Sequence, residues 1–237
     1  MKPIYHGGYF LMNEPLIRGY RANKHTAKDL SKISKCTLDA VNLIQDTPWE
    51  INPFVLGVVK TLADRKTNLE YEHKNRREVV LVLDQPLNPR NDPFEPALKM
   101  MPAEVWAGLS KEEKKRNSEM RARCFARYEE QLSAYRATQR IISTAVEMAE
   151  FEKFYFPHNM DFRTRIYPIP TDLNPQSCDL AKGLLRFHRG TRLGSEGLFW
   201  LGFMVATHFG VDRLSPKDRN EWARSALDWI QRSVDDP

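Results

Sequence analysis

The sequence predicts a mainly α-helical fold with a small β component. Three observations predict it. Helix-start signals precede long stretches with apolar spacings of three and four, the longest over residues 111–150. Strand-like patterning is confined to short segments, chiefly 154–169, which reads FYFPHNMDFRTRIYPI. The chain has 237 residues, of which 41% are apolar and 11% aromatic, enough for a real core.

The elements follow in order. Residues 1–30 read as a loop-rich connecting segment with Gly7-Gly8 and the basic residues Arg18, Arg21, Lys24 and Lys28. A helical pattern begins at Leu30, with Leu38, Val41, Asn42 and Ile44 near one stripe. Thr47-Pro48-Trp49-Glu50 has the form of a capping box with proline at the first helical position. Asn52-Pro53 opens a second helix that is expected to bury Phe54, Leu56, Val58, Val59 and Leu62. A basic patch (Lys74, Arg76, Arg77) precedes a short apolar run from Val79 to Leu83. Prolines at 86, 89, 93 and 96 make 84–97 a surface loop.

Ser110 and Glu113 form another capping box, opening one long helix from Lys111 to about Glu150. Between Lys111 and Arg140 it carries nine basic and five acidic residues, so its solvated surface is positive. Thr171 to Pro175 is a turn. Ser177 is expected to cap a helix from Asp179 to Arg189, ended by Gly190, with Lys182, Arg186 and Arg189 on one face. Ser195 starts a helix from Glu196 to Phe209, closed by Gly210, and Ser215-Pro216 with Asp218 starts the last one. The implied domains are a connecting segment at 1–30, a helical region at 31–153 and a third region at 154–237.

Bulk chemistry narrows the function. Net charge is +5, compatible with a nucleic-acid partner. The three cysteines, Cys36, Cys124 and Cys178, have neither disulfide-framework nor zinc-ligand spacing, and a reducing cytoplasm suits them. The first ten residues lack an apolar signal region, and the longest apolar run, Leu198 to Ala206, is too short to span a bilayer. No membrane partner is expected. The glycines form no phosphate loop, the six histidines are scattered, and no nucleophile elbow occurs. No catalytic residue and no metal ligand set is therefore assigned to this chain.

The segment 154–169 carries the chemistry. As a strand it would put Arg163, Arg165 and Tyr167 on one face and Phe162, Thr164 and Ile166 on the other. Two guanidinium forks and a phenol suit phosphates and sugar hydroxyls. Asp161 reads as a structural carboxylate holding a neighbouring arginine or backbone amide, the alternative being a catalytic acid.

FYFPHNMDFRTRIYPIP, followed by LNPQSCDLAKGLLRFHRGTRLGSEGLFWL, closely resembles the start of the palm in phage-type and mitochondrial single-subunit RNA polymerases. That family has a P-x-N-x-D-(F/W)-R-G-R-x-Y strand, an N-P-Q-x-x-D-x-x-K-G-L-L segment and a G-x-x-G-x-x-G-x-x-W-L helix. His6 to Tyr9 resembles its Gly-Gly-Tyr-Trp segment, and the long helix resembles its thumb. The resemblance implies a partial right-hand polymerase fold, with a thumb in 31–153 and the first part of the palm in 154–237. It implies that Arg163, Arg165 and Tyr167 contact template and RNA, and that Lys182 lies by the RNA end of the hybrid. Arg136 and Arg140 fall near thumb positions that grip the hybrid backbone. Thr164 stands where the family usually has glycine.

The family's D-G-S-x-S-G-I-Q-H, fingers and H-D-S motifs are absent, and no Asp-Gly or His-Asp dipeptide occurs. The expectation is a small subunit of a split phage RNA polymerase, inactive alone. It would lack the family's N-terminal promoter-binding domain and stop before the first catalytic aspartate. A second chain would hold Mg2+ on its palm aspartates and supply the fingers. The other expected partners are DNA template, RNA–DNA hybrid and promoter-opening or single-strand-binding factors. The expected location is the cytoplasm of a host cell. The alternatives are a stand-alone nucleic-acid-binding or regulatory protein derived from a polymerase fragment, and an engineered or interrupted piece of a longer polymerase.

Overall fold

The computed structural model describes residues 6–7, 14–17, 33–73, 76–91, 102–161, 163 and 165–235. Arg18, Arg21, Lys24, Lys28, Lys74, Gly8, Tyr9, Phe162, Thr164 and residues 92–97 of the proline-rich segment lie outside them. The fold is mainly α with short antiparallel strands, as the sequence predicts, and is consistent with part of a polymerase fold. It divides into two compact units, Met1–His188 and Arg189–Pro237.

The first unit begins with β1 (His6–Gly7) paired to β2 (Glu14–Pro15). Helix α1 (Lys35–Gln45) starts at Ser34, whose hydroxyl accepts the Thr37 amide. Of its expected apolar stripe, Val41 is buried, whereas Asn42 and Ile44 are exposed. Residues 49–51 do not start a helix. They form strand β3 (Trp49–Ile51), which corrects the expected capping box. Here non-local pairing outweighs the local signal. The Trp49 N–H donates to the Phe154 carbonyl, and the Phe154 N–H returns the bond. The Trp49 ring packs 4.3 Å from that of Phe187, and the Thr47 hydroxyl donates back to the Leu43 carbonyl.

Helix α2 (Pro53–Asp64) starts where the sequence places it, with the Asn52 carbonyl oxygen accepting the Phe54 and Val55 amides. Leu56 and Val59 are buried, Val58 and Leu62 partly so, and Phe54 is exposed. Strands β4 (Leu69–His73) and β5 (Arg76–Leu81) form a hairpin that the apolar run at 79–83 only partly announces. Residues 84–91 form no regular element.

After α3 (Ala103–Gly108) comes α4 (Lys111–Met148), 38 residues and roughly 57 Å long. Both halves of its capping box form: Ser110 Oγ accepts the Glu113 amide, and Glu113 Oε2 accepts the Ser110 amide. Residues 111–131 of this helix contain no buried side chain, whereas Leu132, Thr138, Ile141, Ile142 and Ala145 are buried. One end is thus anchored and the positively charged end is solvated.

The anchor is a core of Ile51, Leu56, Ile141, Ala145, Phe154, Phe156, Leu173, Ala181, Leu184 and Leu185. A second cluster joins Val59, Leu81, Leu83 and Ile142, and a third joins Leu16, Val41 and Met160. The segment 154–169 is not one strand. It contains β6 (His158–Met160) and β7 (Ile166–Pro168), paired antiparallel.

Helix α5 (Asp179–Gly183) is also shorter than expected, and Cys178 rather than Ser177 is its cap. Residues 185–187 leave the helix to form β8 (Leu185–Phe187), antiparallel to β3. Leaving it buries Leu184 and Leu185 and sets Arg186 opposite Glu50. The basic helix face of Lys182, Arg186 and Arg189 therefore does not form.

The second unit holds α6 (Gly197–His208), α7 (Pro216–Ser225) and α8 (Leu227–Asp235). Gly210 follows α6 with φ +95°, the left-handed stop that the sequence places there. Ser215 Oγ accepts the Asp218 amide at the start of α7. The last helix is two helices, divided at Ala226.

Candidate nucleic-acid interface

The β6–β7 hairpin builds the site. Its base is tied down on several sides. The Met160 N–H donates to the Leu16 carbonyl at 2.7 Å, and the His158 N–H to Gln45 Oε1 at 2.8 Å. Gln176 Nε2 donates to the Ile166 carbonyl at 3.0 Å. Met160 and His158 are buried. Burial holds the His158 imidazole below its usual pKa, and its Nδ1 lies 2.8 Å from the Phe156 carbonyl. This histidine is a structural part of the hairpin and is neutral at pH 7.

At the tip one carboxylate organises the loop. Asp161 Oδ1 accepts the amide N–H of Arg163 at 2.8 Å and of Arg165 at 3.0 Å. Its Oδ2 accepts the Tyr167 hydroxyl at 3.2 Å. Its own N–H donates to the Arg165 carbonyl at 2.9 Å. These bonds, led by the Arg165 amide, hold the Asp161 carboxyl below the usual carboxylate range. The structural reading of Asp161 is the one realised, because every acceptor oxygen already serves the loop.

Arg163 and Arg165 are exposed, while Tyr167 is half-buried. Their relation differs from strand alternation. The two arginines lie between the strands with their amides held by Asp161, and Tyr167 stands on the following strand, opposite Asn159. Tethering both amides beneath two exposed guanidinium groups lowers the entropy cost of gripping an oxyanion. Asn159 Oδ1 is buried without a partner among the described residues.

The other expected residues join this hairpin to different degrees. Arg140 Nε donates to both Asp172 oxygens at 3.3 Å, tying α4 to the turn after β7. That turn is closed by Asn174 Nδ2, which donates to the Pro170 and Thr171 carbonyls. Arg136 lies one turn earlier on the same face of α4 and is exposed. Lys182 stands on α5, paired with Asp179 at 3.2 Å and about half exposed.

Sequence reasoning missed the polar cluster on β3 and β8. Glu50 accepts from Arg186 Nε at 2.5 Å, and its Oε2 lies 2.7 Å from His188 Nδ1. His188 and then Arg186 hold the Glu50 carboxyl below its usual range. The partners are more than 130 residues apart, so no local signal could have found them. Among the described residues no group of three or more His, Cys, Asp or Glu side chains is placed to hold a metal ion. No helix among them is long and apolar enough to cross a membrane.

Residues 191–237 match the family model described as DNA-dependent RNA polymerase. The chain is 31% identical to DNA-directed RNA polymerase 2, chloroplastic/mitochondrial, of Arabidopsis thaliana, over 98% of this chain and 21% of that protein. It is 28% identical to DNA-directed RNA polymerase 3, chloroplastic, of Nicotiana sylvestris, over 98% of this chain and 22% of that protein. It is 43% identical over 86 residues to the mitochondrial DNA-directed RNA polymerase of Neurospora crassa, covering 36% of this chain and 6% of that protein. These matches, with the mainly helical fold, define the class as a segment of a DNA-directed RNA polymerase. The chain belongs to the phage-type RNA polymerase family, and it spans about a fifth of the length of the relatives that it matches end to end.

Proposed function

We propose that this chain is the small subunit of a two-chain DNA-dependent RNA polymerase, supplying the thumb and the start of the palm. Its task is to grip template and RNA–DNA hybrid. The observation that carries this reading is the loop in which Asp161 fixes the backbone beneath Arg163 and Arg165. An A-form hybrid exposes phosphates and 2′-hydroxyls along a wide, shallow groove. Two guanidinium groups whose backbone amides are tethered by one carboxylate suit that surface by charge and read no base. Tyr167, Lys182, Arg136 and Arg140 extend the same contact in this reading. Arg140 would have to share its guanidinium between Asp172 and phosphate.

The described residues offer no fitting metal site, and the Asp161 oxygens are committed to the loop. In this proposal Mg2+ is held by aspartates of a second polypeptide, and no step here runs through a metal. Promoter opening by helper factors belongs to the same proposal.

The test is RNA synthesis by the purified chain, alone and mixed with the polypeptide from the same genome that carries a D-G-S-x-S-G segment. Synthesis only in the mixture is the expected result. Synthesis by this chain alone refutes the division of labour. Binding of hybrid with no effect on polymerisation would favour a stand-alone binding protein. Arg165→Ala and Lys182→Ala should each slow elongation without preventing assembly; full activity in both removes their role. A duplex promoter transcribed without helpers removes the need for opening factors.

A further inference from the structure

Helix α6 has an unusual sequence for a surface helix, GLFWLGFMVATH, with no acidic residue, lysine or arginine. One side of it is packed within its own unit. Gly202 lies so close to α7 that a Cβ there would sit 2.6 Å from Asn220 Oδ1, and Ala206 is fully buried. Arg219 of α7 donates to Thr207 Oγ1 at 3.1 Å and stacks over the Phe203 ring at 4.5 Å. The opposite side is bare: Leu198 is 72% exposed, Leu201 52% and Met204 45%. Leu198, Leu201 and Met204 follow at three-residue spacing and share a face.

Helix α8 repeats the situation. Leu227, Ile230 and Val234 form its apolar stripe, no residue of it is buried, and Leu227 and Val234 are more than half exposed. A helix that is apolar all round belongs inside a protein. At 12 residues α6 is too short to belong inside a membrane.

We infer that the bare faces of α6 and α8 are a docking surface for the polypeptide that completes the polymerase, an apolar and charge-poor face of that chain. The inference rests on the two-chain reading above. Three observations choose this occupant. The family-model match, 191–237, coincides with the second unit, Arg189–Pro237. At 49 residues this unit can bury only a marginal core of its own. About four fifths of each full-length relative lies outside the matched span, so these relatives carry abundant chain that can cover such a face. The unit also has seven basic and seven acidic residues, a neutral balance that gives nucleic acid no electrostatic reason to bind. Apolar area without net charge is the signature of the centre of a permanent protein interface.

The probe is again the polypeptide from the same genome carrying D-G-S-x-S-G, titrated against this full chain in a binding assay. Leu201→Glu/Met204→Glu and, separately, Leu227→Glu/Val234→Glu should each weaken binding by about 30-fold or more, the level of an interface hot spot. Arg163→Ala/Arg165→Ala should bind as the parent does. Circular dichroism reports whether the variants keep their helices, which exposed positions permit. Should either double variant lose helix, Leu201→Ala/Met204→Ala or Leu227→Ala/Val234→Ala replaces it, with weakened binding again the expected result. Parent-like binding by both glutamate variants overturns the inference and leaves the two-chain reading standing. No binding by the parent, with no RNA synthesis in the mixture, overturns the two-chain reading itself. Self-association of the parent that both variants abolish, without partner binding, assigns the face to a second copy and overturns the inference.

Discussion

Replacing both Arg163 and Arg165 by alanine separates charge from loop architecture. The bonds that shape the loop run from the Arg163 and Arg165 backbone amides to Asp161, so alanine keeps them. What disappears is two exposed guanidinium groups, each able to neutralise one phosphate. Each neutralised phosphate contributes roughly −0.9 to the slope of log affinity against log salt on duplex. Removing two should flatten the slope by about 1.8. Between about 50 and 200 mM salt the parent should then lose roughly twelvefold more affinity than the double variant. Fluorescence anisotropy with a short labelled RNA–DNA hybrid, run as a salt series, measures this. A double variant with measurable binding, an unchanged slope and intact helix content would refute the assignment of these arginines to phosphate.

Asp161→Ala should leave both arginines in place and loosen the loop, seen as faster amide hydrogen exchange at Arg163 and Arg165. Because the Asp161 carboxyl is held below its usual range, the order that it confers is complete at neutral pH and above. That order is lost as pH falls through the depressed folded value, so parent exchange at these amides should approach that of the variant only in strong acid. Glu50→Gln should make thermal stability less sensitive to acid, since the Glu50 contribution also vanishes on descending through a depressed value. Equal acid sensitivity in parent and variant would contradict it. Gly202→Ala drives a Cβ against Asn220 Oδ1 and should destabilise the second unit by about 1–3 kcal/mol in denaturant unfolding. Adding Asn220→Ala should recover part of that loss, and strict additivity would deny the contact.

The sequence was most legible where structure is set by neighbours in the chain. Asn52-Pro53, Ser110 with Glu113, Gly210 and Ser215-Pro216 each mark a helix boundary through bonds spanning three or four residues. It failed where distant partners outbid a local signal. Thr47 to Glu50 carries the pattern of a helix start, yet Trp49 pairs with Phe154 and Glu50 with Arg186. Residues 185–187 leave a helical pattern for the same reason, drawn to β3. At the candidate site the residue types were legible and their geometry was not. Alternation put Arg163, Arg165 and Tyr167 on one strand face, but Asp161 accepts the amides of both arginines, which a two-residue period does not register.

The distribution of charge and apolar surface argues for a division of work between the two units. The second unit is electrically neutral, so the whole positive excess of +5 belongs to residues 1–188, with the arginine loop and the basic stretch of α4. The second unit keeps its ionic groups in local contacts such as Arg219 with Thr207 and leaves leucine, methionine and tryptophan uncovered. Nucleic acid is attracted mainly through charge, and permanent protein partners mainly through apolar area. A surface serving both would place desolvated arginines in an apolar interface, where each unpaired cation costs several kcal/mol. Segregating the two functions avoids that cost. Charge changes confined to Arg163 and Arg165 should therefore alter hybrid affinity and its salt dependence, while apolar changes on α6 and α8 should alter assembly and leave the salt slope untouched.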